Sequence, residues 1–331
     1  MKKNLGVFVL VGALLGTACT ADSEQELKGS MLAKKASLNM NSTYIAVLGD
    51  LQMYTNGNGW HEYYRSTMDW ILFQYFDEIN FNCILQVGDI TNNNYKYQYD
   101  LFYKYTVPLA EYIPYIACIG NHDYFRDSYN LIHNRNNTLF SDYTSFNLTD
   151  SLIVSRFEEG RMENIIIKNE IAGEPYYIIT LEFGVRDEVL MWANEFVKQY
   201  KDYKFILMTH EYLTGKGERI DHDSYAESQL RYLTWNSPEQ VWQKLVKNND
   251  NIFCVLCGHN GFFTHLLSEN ASGRLVPQIL FNLQYQKNGG DGLVQLWEFP
   301  QNSDSVNIRV YNTVLQEWDT RMDVLKIRYK Y

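Results

Sequence analysis

Five short apolar runs, each followed at once by polar residues, constrain the fold of this 331-residue chain more than any other feature. The runs and their endings are 43–48 before Gly49-Asp50, 84–87 before Gly88-Asp89, 116–119 before Gly120-Asn121-His122-Asp123, 205–208 before Thr209-His210, and 252–257 before Gly258-His259. Continuous apolar runs of this length are typical of strands whose two faces are both covered. Helical patterns lie between them, as in 187–200, where Val189, Ala193 and Val197 share one face. This alternation predicts an α/β fold.

The polar residues that follow the runs are the candidates for a functional site. Open α/β sheets bind ligands beyond the carboxyl ends of their strands, so we expect the five ends to meet at one sheet edge. They deliver two carboxylates, an amide and two imidazoles: Asp50, Asp89, Asn121, His210 and His259. Several carboxylates cannot all stay charged in one small buried volume without compensation. A bound cation resolves that conflict, and mixed oxygen and imidazole ligands suit Mn, Fe, Zn or Mg.

Other segments have different patterns. Residues 163–183 and 275–311 predict strands and hairpins, and therefore a second sheet. The stretch 124–161 has no convincing period, and loops of that length are usually functional or disordered. It carries Arg126, His133, Arg135, Tyr143 and Phe146. We interpret it either as a substrate-facing lid or as a segment that packs over the helices.

The N-terminal region has the pattern of an export signal. Lys2 and Lys3 precede an apolar run over 5–15, which is too short for an ordinary transmembrane helix. Residues 1–19 are therefore expected to be a signal peptide. Residues 20–42 are polar and unpatterned and predict a flexible tether. Because no linker-like stretch interrupts residues 43–331, we expect one catalytic domain there.

The end of this signal resembles a bacterial lipobox. The sequence Leu-Gly-Thr-Ala-Cys ends at Cys19, which is therefore expected to carry the lipid. Gly16 stands where such motifs prefer a larger apolar residue, so plain secretion is the alternative. We expect an exported protein, periplasmic or at the cell surface, that touches a membrane only through a lipid on Cys19.

The net charge and the positions of the cysteines argue against two classes of function, polynucleotide binding and cysteine-based redox or zinc chemistry. The formal net charge of −10 argues against a protein that grips polynucleotides, because such binding depends on Lys and Arg. The four cysteines beyond Cys19 lie in apolar runs: Cys83, Cys118, Cys254 and Cys257. The last two form a C-x-x-C, but residues three apart on a strand point to opposite faces. We therefore interpret all four as small core residues rather than as a redox or zinc motif.

The order of these motifs resembles the calcineurin-like metallophosphoesterase superfamily. The residues that carry the resemblance are Gly49-Asp50-Leu51-Gln52, Gly88-Asp89, Gly120-Asn121-His122-Asp123, His210 and Gly258-His259. It covers residues 43 to the C-terminus, and Gly-Asn-His-Asp after a strand is its most specific part. The resemblance implies a four-layer α/β-β/α sandwich of two mixed sheets flanked by helices. It also implies a site for two divalent metal ions at the carboxyl edge of the two sheets.

The resemblance further implies a role for each motif residue. Asp89 bridges both metals, and Asp50 binds the first. The ligands implied for the second metal are Asn121, His210 and His259. His122 is the leaving-group acid, and Asp123 beside it is either an orienting carboxylate or a turn residue. The implied activity is hydrolysis of small phosphate esters by a metal-bridging hydroxide, with monoesters favoured over diesters.

Two departures from the family pattern concern the first metal. Gln52 stands where the first motif usually has histidine, and Gly261 stands where the last motif has its second histidine. Gln52 can bind through its carbonyl oxygen, Gly261 has no side chain to offer, and we do not expect His265 to replace it. The first metal site is therefore expected to be the weaker one.

These departures leave two interpretations open. The Asp-x-Gln motif resembles a branch of the superfamily with exported bacterial members, which also share segments like 186–193, 210–213 and 288–292. On that interpretation the chain is an active enzyme. The alternative is a non-catalytic exported binding lipoprotein on a degenerate scaffold. The retained His122 favours the enzyme, because a phosphate binder has no need of a leaving-group acid.

Overall fold

The computed structural model describes residues 38–126, 133–221, 234–321 and 324–330. The predicted signal peptide, Cys19 and most of the predicted tether lie outside the described residues. Residues 38–331 form one compact unit, and its first strand begins at Ser42. In the part of the chain that is described, no helix is both long enough and apolar enough to span a membrane.

The first sheet is mixed and has seven strands in the order β15-β14-β13-β1-β2-β3, with β16 also paired to β14. Strands β1, β2 and β3 are parallel, whereas β13 and β14 run antiparallel to their neighbours. The strands are β1 (Ser42–Leu48), β2 (Asn80–Gln86), β3 (Tyr115–Ala117), β13 (Leu293–Pro300), β14 (Ser305–Asn312), β15 (Glu317–Trp318) and β16 (Leu325–Arg328).

The second sheet is also mixed and has seven strands in the order β11-β12-β10-β9-β8-β7-β6. Its central strands β8, β9, β10 and β12 are parallel. The strands are β6 (Ile153–Arg156), β7 (Ile165–Ile171), β8 (Glu174–Leu181), β9 (Lys204–Thr209), β10 (Ile252–Cys257), β11 (Phe262–Glu269) and β12 (Leu275–Asn282). A separate small ribbon pairs β4 (Phe125–Arg126) with β5 (His133–Asn134).

Helices cover both sheets. The α-helices are α1 (Gln52–Thr55), α2 (His61–Phe76), α3 (Lys96–Ala110), α4 (Phe140–Thr144), α5 (Asn147–Asp150), α6 (Asp187–Gln199) and α7 (Pro238–Val241). Three short turns of other helix types are Asn121–Asp123, Trp242–Val246 and Lys287–Gly289. On the first sheet, the Trp70 ring of α2 stacks 4.7 Å from Tyr311 of β14. On the second sheet, Val189 and Ala193 of α6 are fully buried in a core cluster.

The two sheets contact each other through their inner faces. Asn169 of β7 donates a hydrogen bond of 2.7 Å to Asn82 of β2, and Asn82 donates one of 2.8 Å to the backbone carbonyl of Glu170 in β7. The predicted four-layer sandwich of two mixed sheets flanked by helices is confirmed. The four cysteines other than Cys19 are buried and free, as predicted for core residues.

One part of the sheet prediction is wrong. The segments 163–183 and 275–311 do not make a second sheet of their own. Residues 163–183 supply β7 and β8 to the second sheet, while 275–311 is divided between β12 of that sheet and β13 and β14 of the first. The reason is that β12 runs parallel to β10, whereas β13 pairs antiparallel with β1.

Candidate metal centre

The site lies where the carboxyl ends of six parallel strands from both sheets converge. Strands β1, β2 and β3 of the first sheet deliver Asp50, Asp89 and Asn121, and β9 and β10 of the second deliver His210 and His259. The expectation of a single sheet edge is therefore wrong, and two edges face each other. The sixth end, that of β12, abuts β1: a Cβ on Gly49 would lie 3.2 Å from the Cα of Asn282.

Four of the predicted ligands form one buried group, which we call the imidazole cluster: Asp89, Asn121, His210 and His259. The possible ligand atoms of its carboxylate and two imidazoles all lie within 4.8 Å of one another. Nε2 of His210 is at the centre, 3.2 Å from Asp89 Oδ2, 3.1 Å from Asn121 Oδ1 and 3.1 Å from His259 Nδ1. The sequence prediction that these four side chains meet agrees with this geometry.

Contacts with residues outside the cluster indicate which ring nitrogens face inward. Nδ1 of His210 donates to the carbonyl of Val87 at 2.7 Å, so in the neutral ring Nε2 carries the lone pair. Glu211 Oε1 lies 3.6 Å from Nε2 of His259, on the side of the ring away from His210. Carboxylates and carbonyls placed behind imidazoles in this way orient them as metal ligands.

The charges in the imidazole cluster are strongly perturbed. Burial lowers the pKa of His210, but the Asp89 and Asp50 carboxylates outweigh burial and raise it to about 10. Burial and then the neighbouring His210 lower the pKa of His259 to about 3. Burial acts to raise the pKa of Asp89, yet His210 and His122 hold it well below its ordinary value. One positive charge at the centre therefore stabilises the cluster, and either a proton on His210 or a metal cation can supply it.

Glycines and left-handed backbone conformations allow the strand ends to approach each other closely. Gly88 has φ +101°, and a Cβ there would clash with the His210 ring. A Cβ on Gly258 would clash with the Asp50 carboxylate. Asp89 and His259 themselves lie in the left-handed region, at φ 53° and 68°. Non-glycine residues held there cost about 1–3 kcal/mol each and concentrate at functional sites.

A second group beside the first contains one carboxylate and three carboxamides, and we call it the amide cluster: Asp50, Gln52, Asn282 and Gln284. Asp50 Oδ2 accepts hydrogen bonds from Asn282 Nδ2 at 2.8 Å and Gln284 Nε2 at 3.1 Å. Asp50 Oδ1 accepts from the backbone N–H of His259 at 3.1 Å. Gln52 Nε2 donates to Gln284 Oε1. Both oxygens of the carboxylate are thus satisfied by neutral donors.

The amide cluster contains two residues that the sequence analysis missed, Asn282 and Gln284. Their signal is the pattern that identified the other strand ends, because the apolar run 279–281 is followed at once by polar residues. Burial raises the pKa of Asp50 well above its ordinary value, with Asp89 adding to the shift and His210 opposing it. Gln52 Oε1 is buried and, among the described residues, accepts no hydrogen bond.

His122 lies at the edge of the imidazole cluster and is half-buried. Its backbone N–H donates to Asp89 Oδ1 at 2.9 Å, which ties the residue to the site. Its ring nitrogen Nδ1 lies 2.8 Å from the carbonyl of Asn92 and donates to it. Nε2 is then the ring nitrogen left to exchange a proton with a ligand.

Asp123 makes its contacts elsewhere. Its carboxylate accepts hydrogen bonds from the backbone N–H groups of Ile90, Thr91 and Gly120 at 2.8–3.1 Å. Burial, with Asp89, raises its pKa to about 6. The His122 ring is held by Asn92 instead. Of the two roles left open by the sequence, this geometry favours the turn residue over the orienting carboxylate.

The remaining predicted features lie outside the two clusters. His265 is exposed in β11, opposite Ile279 of β12. In the described part of 124–161, Arg135 donates to the carbonyl of Phe183 at 3.1 Å, and Phe146 stacks on Tyr103 of α3. These contacts favour packing over a lid, although 127–132 and the side chains of residues 126 and 133 lie outside the described part.

Both clusters fit divalent cations, to different degrees. In the imidazole cluster the carboxylate oxygen Asp89 Oδ2 is buried at ion-pair distance from His210 and, within the described residues, accepts no hydrogen bond. Lone pairs of nitrogen and oxygen converge there, which is the donor set of a transition-metal site. In the amide cluster, among the described residues, the only buried side-chain oxygen that accepts no hydrogen bond is Gln52 Oε1, and this oxygen is neutral.

Comparisons with known proteins agree with this picture. A family model described as calcineurin-like phosphoesterase matches residues 43–263. A Bacillus subtilis (strain 168) protein described as uncharacterized protein YvnB is 30% identical over 153 residues, which is 44% of this chain. That match covers only 11% of the relative.

Two solved structures to which the chain is similar are described as nucleotidases. The 5'-nucleotidase precursor from Thermus thermophilus has a TM-score of 0.43 and 12% identity, over 86% of this chain and 54% of its own. The NAD nucleotidase of Haemophilus influenzae has a TM-score of 0.39 and 11% identity, over 86% of this chain and 53% of its own. These similarities are too distant to carry information about a substrate.

Proposed function

Since the chain belongs to the calcineurin-like phosphoesterase family, we propose that it is a metal-dependent hydrolase of small phosphate esters, with monoesters preferred over diesters. One observation carries the proposal. A carboxylate and two imidazoles, all buried, point their ligand atoms into one volume less than 4.8 Å across, where only a proton or a cation relieves the repulsion.

The residues divide into two ligand sets. Asp89, Asn121, His210 and His259 would hold one cation, and Asp50, Asp89 and Gln52 would hold the other. Bound divalent cations supply Lewis acidity and a water that is acidic enough to act as a nucleophile near neutral pH. The acidic protein surface is no obstacle, because the cations provide the local positive charge for a phosphate group.

His122 is the proposed general acid. Asn92 accepts the Nδ1 proton and orients the ring, so the proton on Nε2 of the imidazolium is the one available to the leaving-group oxygen. As the phosphorus–oxygen bond breaks, that oxygen gains negative charge and takes this proton. Asp123 supports the acid indirectly, by holding the turn that carries it against the loop that follows β2.

A second candidate function is a non-catalytic exported binding protein on the same scaffold. The observation that favours it is the amide cluster, in which Asp50 is satisfied by neutral donors without any cation. Such a protein would bind a phosphate compound without turning it over.

One screen separates the two candidates. The purified full chain is incubated with a panel of phosphomonoesters and phosphodiesters, with Mn²⁺, Fe²⁺, Zn²⁺ or Mg²⁺ added back singly after chelation. Metal-dependent release of phosphate, fastest for monoesters, supports the enzyme. Tight binding of a panel member with no turnover under any metal supports the binding protein.

We also propose that the protein is exported and anchored by a lipid on Cys19, which lies outside the described residues. The basis is the lipobox-like sequence that ends there. Wild-type protein should sediment with membranes, and Cys19→Ser should be released or left unprocessed. Wild-type protein found wholly in the soluble fraction would overturn the anchor and leave plain secretion.

A further inference from the structure

This chain lacks two histidines of the family pattern, at positions 52 and 261, so the ligands that would hold a cation beside Asp50 have to be identified. The imidazole cluster has four candidate ligand side chains, whereas the side chains that hydrogen-bond to Asp50 in the described part of the chain are both carboxamides. Both lie at the carboxyl end of β12, whose parallel pairing with β10 brings that end to the site: Asn282 is the last residue of the strand, and Gln284 comes two residues later. The family pattern assigns neither residue a role.

The two carboxamides at the end of β12 differ in how firmly they are held. Asn282 uses both edges of its amide: Nδ2 donates to Asp50 and to the His259 carbonyl at 3.0 Å, and Oδ1 accepts from the Gln284 backbone at 3.0 Å. Turning that amide would break bonds on both edges. Asn282 is therefore a fixed donor to Asp50.

Among the described residues, the side chain of Gln284 is held only by other side chains of the cluster. Nε2 donates to Asp50 Oδ2, and Oε1 accepts from Gln52 Nε2. Gln52 in turn has a buried Oε1 that accepts no hydrogen bond from the described residues. Gln284 and Gln52 are 3% and 5% exposed, respectively. Together they form a short chain of amides that begins at Asp50 and ends at the unused acceptor of Gln52.

A half-turn of a carboxamide exchanges its NH₂ edge for its carbonyl oxygen. Without a cation, the NH₂ edge of Gln284 toward Asp50 is favourable, because it satisfies the carboxylate. With a divalent cation bound to that carboxylate, the oxygen edge is favourable instead, because carbonyl oxygens are good ligands for hard cations. A cavity of about 20 Å³ borders Asp50 and Gln284, which is room for one water molecule.

We propose that Gln284 is the ligand that completes the first cation site, and that it acts with Gln52 in place of the two missing histidines. The proposal rests on the proposed function, since it assumes a cation at Asp50. In the cation-free protein the amide of Gln284 donates to Asp50, and in the loaded protein its oxygen binds the ion. The half-turn and the neutral ligands make this ion exchangeable.

The test is Mn²⁺ binding to the purified full chain after chelation, measured by calorimetry and by electron paramagnetic resonance. Wild-type protein should bind one tight and one weak ion. Gln284→Leu removes the oxygen and should raise the dissociation constant of the weak ion by at least about tenfold, with the tight ion unchanged. Gln284→Glu keeps an oxygen ligand, adds charge, and should lower that constant.

A matched control is Gln295→Leu. Gln295 is also a fully buried glutamine, but it lies in β13 and accepts a hydrogen bond from Trp297. This variant should bind both ions as the wild type does.

Three outcomes would overturn the inference. One is a folded Gln284→Leu protein with an unchanged weak ion, and another is weaker binding by Gln284→Glu than by wild type. The third is a wild type that binds only one Mn²⁺. If turnover still depends on metal, none of these outcomes contradicts the proposed hydrolase. The proposed function itself would be wrong if wild-type protein showed neither Mn²⁺ binding nor metal-dependent turnover.

Discussion

The imidazole cluster and the amide cluster share one buried site but satisfy their polar atoms in opposite ways. In the imidazole cluster, lone pairs face lone pairs around His210 Nε2, and stability requires a positive charge at the centre. In the amide cluster every oxygen of Asp50 already accepts a hydrogen bond from a neutral donor. The first arrangement requires a cation or a proton, whereas the second only tolerates a cation. One tight and one exchangeable ion follow from that difference.

The largest effect is expected from Asp89→Ala, because this carboxylate is the one proposed to bind both cations. Hydrolysis should fall by about 10⁴-fold or more, and the tightly held metal should be lost as well. Metal content after dialysis and turnover are measured together. The control is Asp100→Ala, which removes an exposed carboxylate paired with Lys96. Normal metal content with near-normal turnover in Asp89→Ala would break the two-cation account.

Next in size is His122→Ala, which separates proton transfer from metal binding. The rate should fall by about 10²–10⁴-fold while both ions stay bound. The loss should shrink for nitrophenyl phosphate, whose leaving group departs without a proton. An equal loss for every leaving group would count against His122 as the acid.

The pH dependence of the tight ion tests the charge inside the imidazole cluster. Below its pKa of about 10, His210 keeps a proton in the cation-free protein, and a cation must displace that proton. Binding should therefore release one proton, and the affinity should rise about tenfold per pH unit between pH 7 and 9. Calorimetry in buffers of different ionisation enthalpy measures the proton count. Zero protons released would show that His210 is not protonated there.

The smallest effect is expected from Gln52→His, which restores the family residue in the amide cluster. The weak ion should bind about tenfold more tightly, provided that the ring fits, and the tight ion should be unaffected. Titration of activity against metal concentration reports the shift. A change in the tight ion instead would mean that Gln52 belongs to the other cluster.

The two clusters also differ in how far they could be predicted from the sequence. The imidazole cluster follows from strands that are visible as apolar runs before Gly-Asp or Gly-His, so its four residues could be placed together. Asn282 and Gln284 follow a run of the same kind at 279–281. They were missed because the direction of β12 relative to its neighbour depends on long-range pairing with β10, which local sequence does not encode.

The role of Asp123 shows a similar limit. Its place beside His122 in the sequence left two roles open, an orienting carboxylate and a turn residue. The three-dimensional fold brings the backbone of Ile90 and Thr91 to its carboxylate and the carbonyl of Asn92 to the His122 ring. Sequence neighbours on a tight turn point in different directions, so adjacency alone could not decide between the roles.

The contrast between the two clusters predicts that the site holds one cation tightly and one loosely. Metal analysis of the purified full chain after extensive dialysis, paired with activity measured against added divalent ion, tests it most directly. We expect one retained metal per chain, with full activity only after a second ion is added. Two ions retained equally would contradict the difference between the clusters, and no retained ion with no response to metal would contradict the account as a whole.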